Sequence, residues 1–315
     1  MEALRIVFLG TPEFAVGILD SIIQNNYNVV GVITAPDKPA GRGQQLKYSA
    51  VKEYATEKGL ILLQPTNLKD ETFLADLKRL KANLQVVVAF RMLPRAVYEM
   101  PQFGTFNLHA SLLPNYRGAA PINWSIINGE TKTGVTTFYI DDKIDTGAMI
   151  LSAVTDIQPT ENAGSLHDRL MELGSQTVVE TLGLIANGNV KTEIQNESTD
   201  IKTAYKLDKD NCRINWQLTS LDIYNLIRGL SPYPAAWSNI KDGDAEWNVK
   251  IYEAEAVLEK HTEVIGKLIS TKKELKVAVK DGYIRILNVQ FPGKKKMAVR
   301  ELLNGLLFSD NAHVY

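Results

Sequence analysis

The sequence predicts an α/β chain in two domains: a doubly wound, mainly parallel sheet, then a small β-barrel. Three observations carry this expectation. The 315 residues exceed the size at which one hydrophobic core usually stops growing. The first half alternates short apolar runs with amphipathic stretches, the pattern of a parallel sheet covered on both faces. Beyond about residue 187 the chain turns polar and then resumes as short alternating strands, the pattern of a barrel.

The elements follow in order. RIVFLG opens as a strand. In TPEFAVGILDSIIQNN, Thr11 is placed to cap a helix, Pro12 suits its first position, and Phe14, Ile18, Leu19 and Ile22 recur on one face. NVVGVIT is the next strand, followed by a long polar segment, a helix near Ser49 to Lys58, and the strand ILLQP. A helix from about Asp70 to Lys81 leads into LQVVVAF, TFNLHA and GVTTFYI. After MILSAVTDI one more helix spans roughly Ala163 to Ala186. NGNVKTEIQNESTD has no helical periodicity and reads as a linker or surface crossing. A helical LDIYNLIRGL, the turn SPYPAAW and the strands NVKIYEAEAV, ELKVAVK and YIRILNVQF complete the chain, with no internal repeat.

Composition narrows the function. A chain 45% hydrophobic and 23% charged is an ordinary soluble globular protein. The start carries no charged-then-apolar leader, and runs such as VVVAF are far too short to cross a bilayer, so no membrane is expected. The single cysteine, Cys212, forms no intramolecular disulfide and fits a reducing cytoplasm. Four histidines, none paired at ligand spacing, give no expectation of a metal. The net charge of −1 divides unevenly: residues 201–315 hold 18 basic against 14 acidic side chains, or +4, leaving −5 before them. The turn after the first strand reads GTPEFA, which does not suit a dinucleotide, and no Walker loop is present.

The chemistry gathers around TFNLHASLLP and FYIDDKIDTG. On a strand, Asn107 and His109 point the same way while Phe106 and Leu108 pack behind them. Asp145 precedes Thr146-Gly147, a turn that can aim its carboxylate. If the two strands are neighbours, an amide, an imidazole and a carboxylate converge, a set suited to attack of an amine on a carbonyl. Taken alone, an Asn-x-His pair more often serves the fold, and Asp141 and Asp142 read equally well as turn residues.

The longer motif is more specific. FNLHASLLPNYRGAAPINW followed by IDDKIDTG resembles the signature of the 10-formyltetrahydrofolate-dependent formyltransferases. The resemblance implies a Rossmann-like formyltransferase fold, a catalytic trio of Asn107, His109 and Asp145, and 10-formyltetrahydrofolate as formyl donor. It also implies folate contacts at Ser111, Leu112, Leu113 and Pro114. Many relatives carry Ala-Tyr-Gly where this chain has AFRMLP; the family folate pocket uses backbone here, and the resemblance implies Phe90, Arg91, Met92 and Leu93 as its lining.

The acceptor follows from three further likenesses. VFLGTPEFAV is similar to the opening of the methionyl-tRNA formyltransferase branch. APDKPAGRGQQLKYSAVKEYA resembles that branch's long loop, although Ala50 replaces a common proline and QQ stands where basic residues are frequent. YKLDKDNCRINW and IRGLSPYPAAW resemble its linking motifs. The resemblance implies methionyl-initiator tRNA as partner, a catalytic domain over residues 1–203 and an OB-like tRNA-binding domain over 204–315; nothing in the sequence demands an oligomer, so a cytoplasmic monomer is expected. Candidate tRNA contacts are Arg42, Lys38 and Lys47 in the loop, and Lys272, Lys273, Lys294, Lys295 and Lys296 in the barrel. Formyl transfer to an amino sugar, hydrolysis of the formyl-folate, and an inactive RNA-binding module are the rival readings.

Overall fold

The computed structural model describes residues 3–40, 45–196 and 200–315. Within them the chain forms two compact units that interleave in sequence: Met1–Pro121, Thr133–Asp156 and His167–Thr203 in one, and Ile122–Lys132, Ile157–Leu166 and Ala204–Tyr315 in the other.

The first part of the chain runs β1 (Arg5–Gly10), α1 (Glu13–Gln24), β2 (Asn28–Ile33), β3 (Lys38–Ala40), β4 (Gln45–Lys47), α2 (Ala50–Glu57) and β5 (Leu62–Leu63). It continues through α3 (Glu71–Arg79), β6 (Leu84–Val88), α4 (Arg95–Tyr98), β7 (Thr105–His109) and β8 (Arg117–Gly118). Then come α5 (Pro121–Ile127), β9 (Lys132–Tyr139), β10 (Met149–Asp156) and α6 (Ala163–Ala186). The main sheet has the order β10-β9-β7-β6-β1-β2-β5. From β5 to β7 the neighbours are parallel, and β9 joins β7 antiparallel. Buried on both sides, β1 and β6 read as nearly continuous apolar runs, and the one amide within β6, Gln85, accepts the Thr105 hydroxyl.

Helix starts follow the local chemistry. Ser49 caps α2 by accepting the Lys52 amide at 3.0 Å, and Asp70 caps α3 by accepting the Phe73 amide at 3.0 Å. Thr11 does not cap α1. Pro12, extended at φ −82°, occupies that position without a side-chain bond, so the helix begins at Glu13. One face of the sheet packs Val7, Leu9, Ile33 and Val87 against Leu68, Phe73, Leu77, Leu93 and Val97.

The chain continues with β11 (Thr203–Ala204), and the second unit then runs through α7 (Ser220–Gly229), β12 (Ala236–Asp242), β13 (Ala245–Leu258) and β14 (Leu268–Ser270). It ends with β15 (Leu275–Val279), β16 (Gly282–Gln290), β17 (Met297–Ala298), α8 (Val299–Leu303) and β18 (His313–Val314). Neighbours in the order β14-β15-β16-β13-β12-β18 run antiparallel. A register shift between Ile251 and Ala254 lets the long β13 bend. The two ends of the sheet then meet: Leu268 donates to the Ala312 carbonyl at 2.9 Å and Val314 to the Gly266 carbonyl at 2.8 Å. Gly266 sits at φ +88°, and a side chain there would meet the Val314 carbonyl at 2.9 Å. The result is a nearly closed barrel, and Ile223, Ile227 and Leu230 of the α7 region join its core.

Candidate active site

The polar face of β7 lies over the α3 and α4 side of the sheet, because Asn107 stands beside Val87 in register. Phe106 and Leu108 are buried behind it, with Leu108 against Gly174 of α6. His109 is itself 6% exposed. Its Nε2 lies 2.7 Å from the Tyr116 carbonyl, which can only accept, so Nε2 carries the proton and Nδ1 is the other ring nitrogen. Nδ1 faces Asp145 Oδ2 at 3.8 Å. That exceeds a hydrogen bond, yet an atom set to one side of the pair can lie within reach of both. The Asn107 amide, half-buried, makes no side-chain hydrogen bond among the described residues and stands uncommitted.

Asp145 reaches His109 by a route the strand pattern alone does not convey. Thr136 stands opposite His109 and Tyr139 opposite Phe106, so β9 leaves toward the entry end of β7. The segment after it folds back along the sheet to return the carboxylate. Asp141 shapes that return, accepting the Lys143 amide at 3.0 Å and the Thr146 hydroxyl at 2.9 Å, the work of a turn residue. Gly147 must be glycine, since an added Cβ would stand 1.6 Å from the Tyr139 carbonyl. Gly118 donates its amide to Asp145 Oδ2 at 2.9 Å. Burial pushes the nearby Tyr139 phenol above its ordinary value and keeps it un-ionised at neutral pH.

The expected folate residues divide by what they touch. Loops 89–94 and 110–116 leave the ends of adjacent parallel strands, where Val88 pairs with Leu108, so the topology does bring them side by side. Ser111 is buried, with its hydroxyl on the Asn115 carbonyl at 2.7 Å and its own carbonyl on Thr136 Oγ1 at 2.8 Å. The Leu113 amide also goes to Thr136, at 3.3 Å, so these groups are spent on the loop itself. Leu112 and Pro114 stay half-exposed. Met92 is 65% exposed, and Phe90 is half-buried. The Leu93 side chain packs into the core, so the lining it offers is its backbone. Arg91 turns outward and donates to the carbonyls of Pro65 and Thr66, pinning its loop to the neighbouring one.

The candidate tRNA contacts fall in three places. Lys38 and Lys47 are exposed and directly opposite each other on the β3–β4 hairpin. Arg42 lies outside the described residues. Lys272 and Lys273 precede β15, and Lys294, Lys295 and Lys296 precede β17; all five are exposed. β15 and β17 follow one another along the same side of β16, so the two lysine turns are neighbours. Lys296 also lies over the Tyr252 ring, 4.8 Å from its centre. Among the described residues no group of three or more His, Cys, Asp or Glu could hold a metal ion.

Sequence reasoning missed Gln195. It lies in the stretch read as a linker, yet it is 5% exposed, and Glu193 beside it exchanges backbone bonds of 2.8 and 2.9 Å with Met149. A polar residue among polar neighbours gives no local signal of burial.

Two family models match the chain: formyl transferase over residues 4–182 and the formyl transferase C-terminal domain over residues 206–307. Among curated proteins, a methionyl-tRNA formyltransferase of Flavobacterium johnsoniae is 70% identical over the full length of both chains. One from Bacteroides thetaiotaomicron is 51% identical over 98% of each. Solved structures share the fold at lower identity. A sugar 3N-formyl transferase, WlaRD, solved with dTDP and 5-N-formyl-THF, has a TM-score of 0.64 at 22% identity, over 94% of this chain and all of the other. HypX from Aquifex aeolicus with tetrahydrofolic acid has a TM-score of 0.65 at 17% identity, over 96% of this chain and 47% of the other.

Proposed function

The chain belongs to the formyl transferase family, and from that premise we propose that Asn107, His109 and Asp145 carry its chemistry. The reaction moves the formyl group of 10-formyltetrahydrofolate to the α-amino group of methionyl-tRNA, giving the formylated initiator for translation. The observation that carries this acceptor is the 70% identity, end to end, with a protein named for it. The sugar enzyme at 22% identity shares only the fold.

The neutral amine attacks the formyl carbon and a tetrahedral intermediate forms. The uncommitted Asn107 amide donates to its oxygen. His109 works through Nδ1, since Nε2 is held by the Tyr116 carbonyl. A group set to one side of Nδ1 and Asp145 Oδ2, which stand 3.8 Å apart, can meet both and pass a proton from one to the other. In this reading the carboxylate and the ring share the reacting proton, while the orientation of the ring comes from Tyr116. The proton lost by the amine goes to the departing folate nitrogen, the C–N bond to methionine forms and the C–N bond to folate breaks.

The folate lies against the loops 90–93 and 111–114, with Phe90, Met92, Leu112 and Pro114 as its apolar contacts, Arg91 bracing the first loop, and Ser111, Leu113 and Leu93 shaping the wall from behind. Residues 1–203 hold the chemistry and residues 204–315 hold tRNA through Lys272, Lys273, Lys294, Lys295 and Lys296, with Lys38, Arg42 and Lys47 reaching the acceptor end. The enzyme works as a cytoplasmic monomer without a metal. A single-turnover assay with 10-formyltetrahydrofolate and methionyl-tRNA tests the reading, scoring formyl-methionine released from the tRNA. Formylation that needs the charged tRNA is the expected result. Transfer to an amino-sugar nucleotide, or folate consumed without formyl-methionine, overturns the acceptor.

A further inference from the structure

We infer that Gln195 is a positioning residue for Asp145, locking the returning loop from outside it; this rests on Asp145 acting as proposed above. Asp145 takes a left-handed backbone at φ +55°, a conformation that aspartate tolerates but does not seek. Its carboxylate accepts from one backbone donor, Gly118, and no side-chain hydrogen bond among the described residues holds its direction. The main chain is gripped instead. Gln195 Nε2 donates to the carbonyls of Asp145 at 2.9 Å and Gly147 at 2.8 Å, one on each side of Thr146. Its Oε1 accepts from Arg117 Nε at 3.0 Å and Nη2 at 2.7 Å.

The chemistry of the partners fixes which way the amide faces. Two carbonyl oxygens demand a donor and a guanidinium demands an acceptor, so only a neutral amide of this length serves both ends. Arg117 in turn lies between Tyr116, which holds His109, and Gly118, which holds the carboxylate. Gln195 thus ties the loop bearing Asp145 to the segment that fixes both side chains. Because it is buried, these bonds are not exchanged for water.

The substitution Gln195→Glu has the same shape and keeps an acceptor for Arg117, but sets carboxylate lone pairs against two carbonyls. The test is a cycle on the full chain: wild type, Gln195→Glu, Asp145→Asn and the double variant, each measured for kcat, for KM toward 10-formyltetrahydrofolate and methionyl-tRNA, and for its melting temperature. Gln195→Glu is expected to lower kcat by about tenfold to a hundredfold, with both KM values held within about threefold. In the Asp145→Asn background the same change should cost less than about twofold more. Near-normal kcat in Gln195→Glu, with Asp145→Asn impaired, overturns this inference alone. Full additivity also overturns it, because Gln195 would then act elsewhere. Near-normal kcat in Asp145→Asn removes the catalytic reading and this inference with it. Should Gln195→Glu not fold, Arg117→Met frees the other end of the amide and enters the same cycle. A drop of about threefold to tenfold that vanishes with Asp145→Asn supports the inference, and additivity or no drop overturns it.

Discussion

His109 Nδ1 stands 3.8 Å from Asp145 Oδ2, and one three-residue segment holds both groups there. The Tyr116 carbonyl takes the ring's Nε2–H, and the Gly118 amide goes to the carboxylate. Neither side chain positions the other directly. Their spacing is therefore fixed by backbone, and a group beside the pair would meet both at once.

Asn107 and His109 should part company when each is cut to alanine. Among the described residues the Asn107 side-chain amide makes no hydrogen bond, so Asn107→Ala is expected to lower single-turnover formylation by about 10²–10³ while stability moves by under about 0.5 kcal/mol. His109→Ala also strips the buried Tyr116 carbonyl of its partner and should lose about 1–3 kcal/mol besides activity. Rates together with denaturant midpoints check both. Equal stability losses in the two variants would contradict the free amide.

Gly147→Ala should be worse than a surface glycine change. Its Cβ would fall 1.6 Å from the Tyr139 carbonyl, and backbone cannot swing aside as a side-chain tip can. Overpacking of this kind costs about 1–3 kcal/mol, and the shift it forces on the loop carries Asp145 with it. A fall in denaturant midpoint coupled to at least a roughly tenfold fall in kcat is the expected pair of readings. Gly59→Ala, with nothing near its Cβ but φ +65°, is the comparison that separates crowding from backbone strain.

The sheet is legible because its strands are buried on both faces and so cannot hide among polar alternation; LQVVVAF becoming β6 shows this best. Ser49 and Asp70 announce their helices because capping chemistry is local. Thr11 misleads, because the next residue is a proline that takes the cap position itself. Asn107 and His109 stand out by strand period, and Asp145 by motif, but the antiparallel direction of β9 and the fold-back of its loop are non-local and leave no periodic trace. Gln195 escapes for the same reason: it is buried by residues 48 to 50 positions earlier, not by its own neighbours. The Leu93 side chain lies in the core, and apolar character alone does not say which side of a loop it serves.

The barrel lysines make a prediction in salt. Lys272, Lys273, Lys294, Lys295 and Lys296 are exposed on adjacent turns along β16, free to follow a phosphate backbone. Replacing all five by alanine should weaken tRNA binding and flatten the plot of log Kd against log salt by roughly 0.7–0.9 for each phosphate no longer neutralised. The KM for folate should not change. An unchanged slope would assign tRNA to another face.

Asp37 gives the pH dependence its sign. It stands just before β3, where its carboxylate meets the Lys52 ammonium and accepts Gln64 Nε2 at 2.9 Å. The Lys52 hydrogen bond, then that of Gln64, holds the carboxyl below its ordinary value. A carboxyl lowered in the folded chain adds stability above its unfolded value, and that stability fades as the pH falls through the lowered one. The melting temperature of wild type should therefore exceed that of Asp37→Asn by a constant margin from about pH 5 to 7, and the margin should close below about pH 4. The same pair tethers the base of the hairpin bearing Lys38 and Lys47, so Asp37→Asn should weaken tRNA binding at neutral pH more than it changes the KM for folate. A margin that persists into acid would mean that the ion pair contributes nothing, and that the hairpin is held by the Gln64 bonds to Asp37 and the Ala35 carbonyl instead.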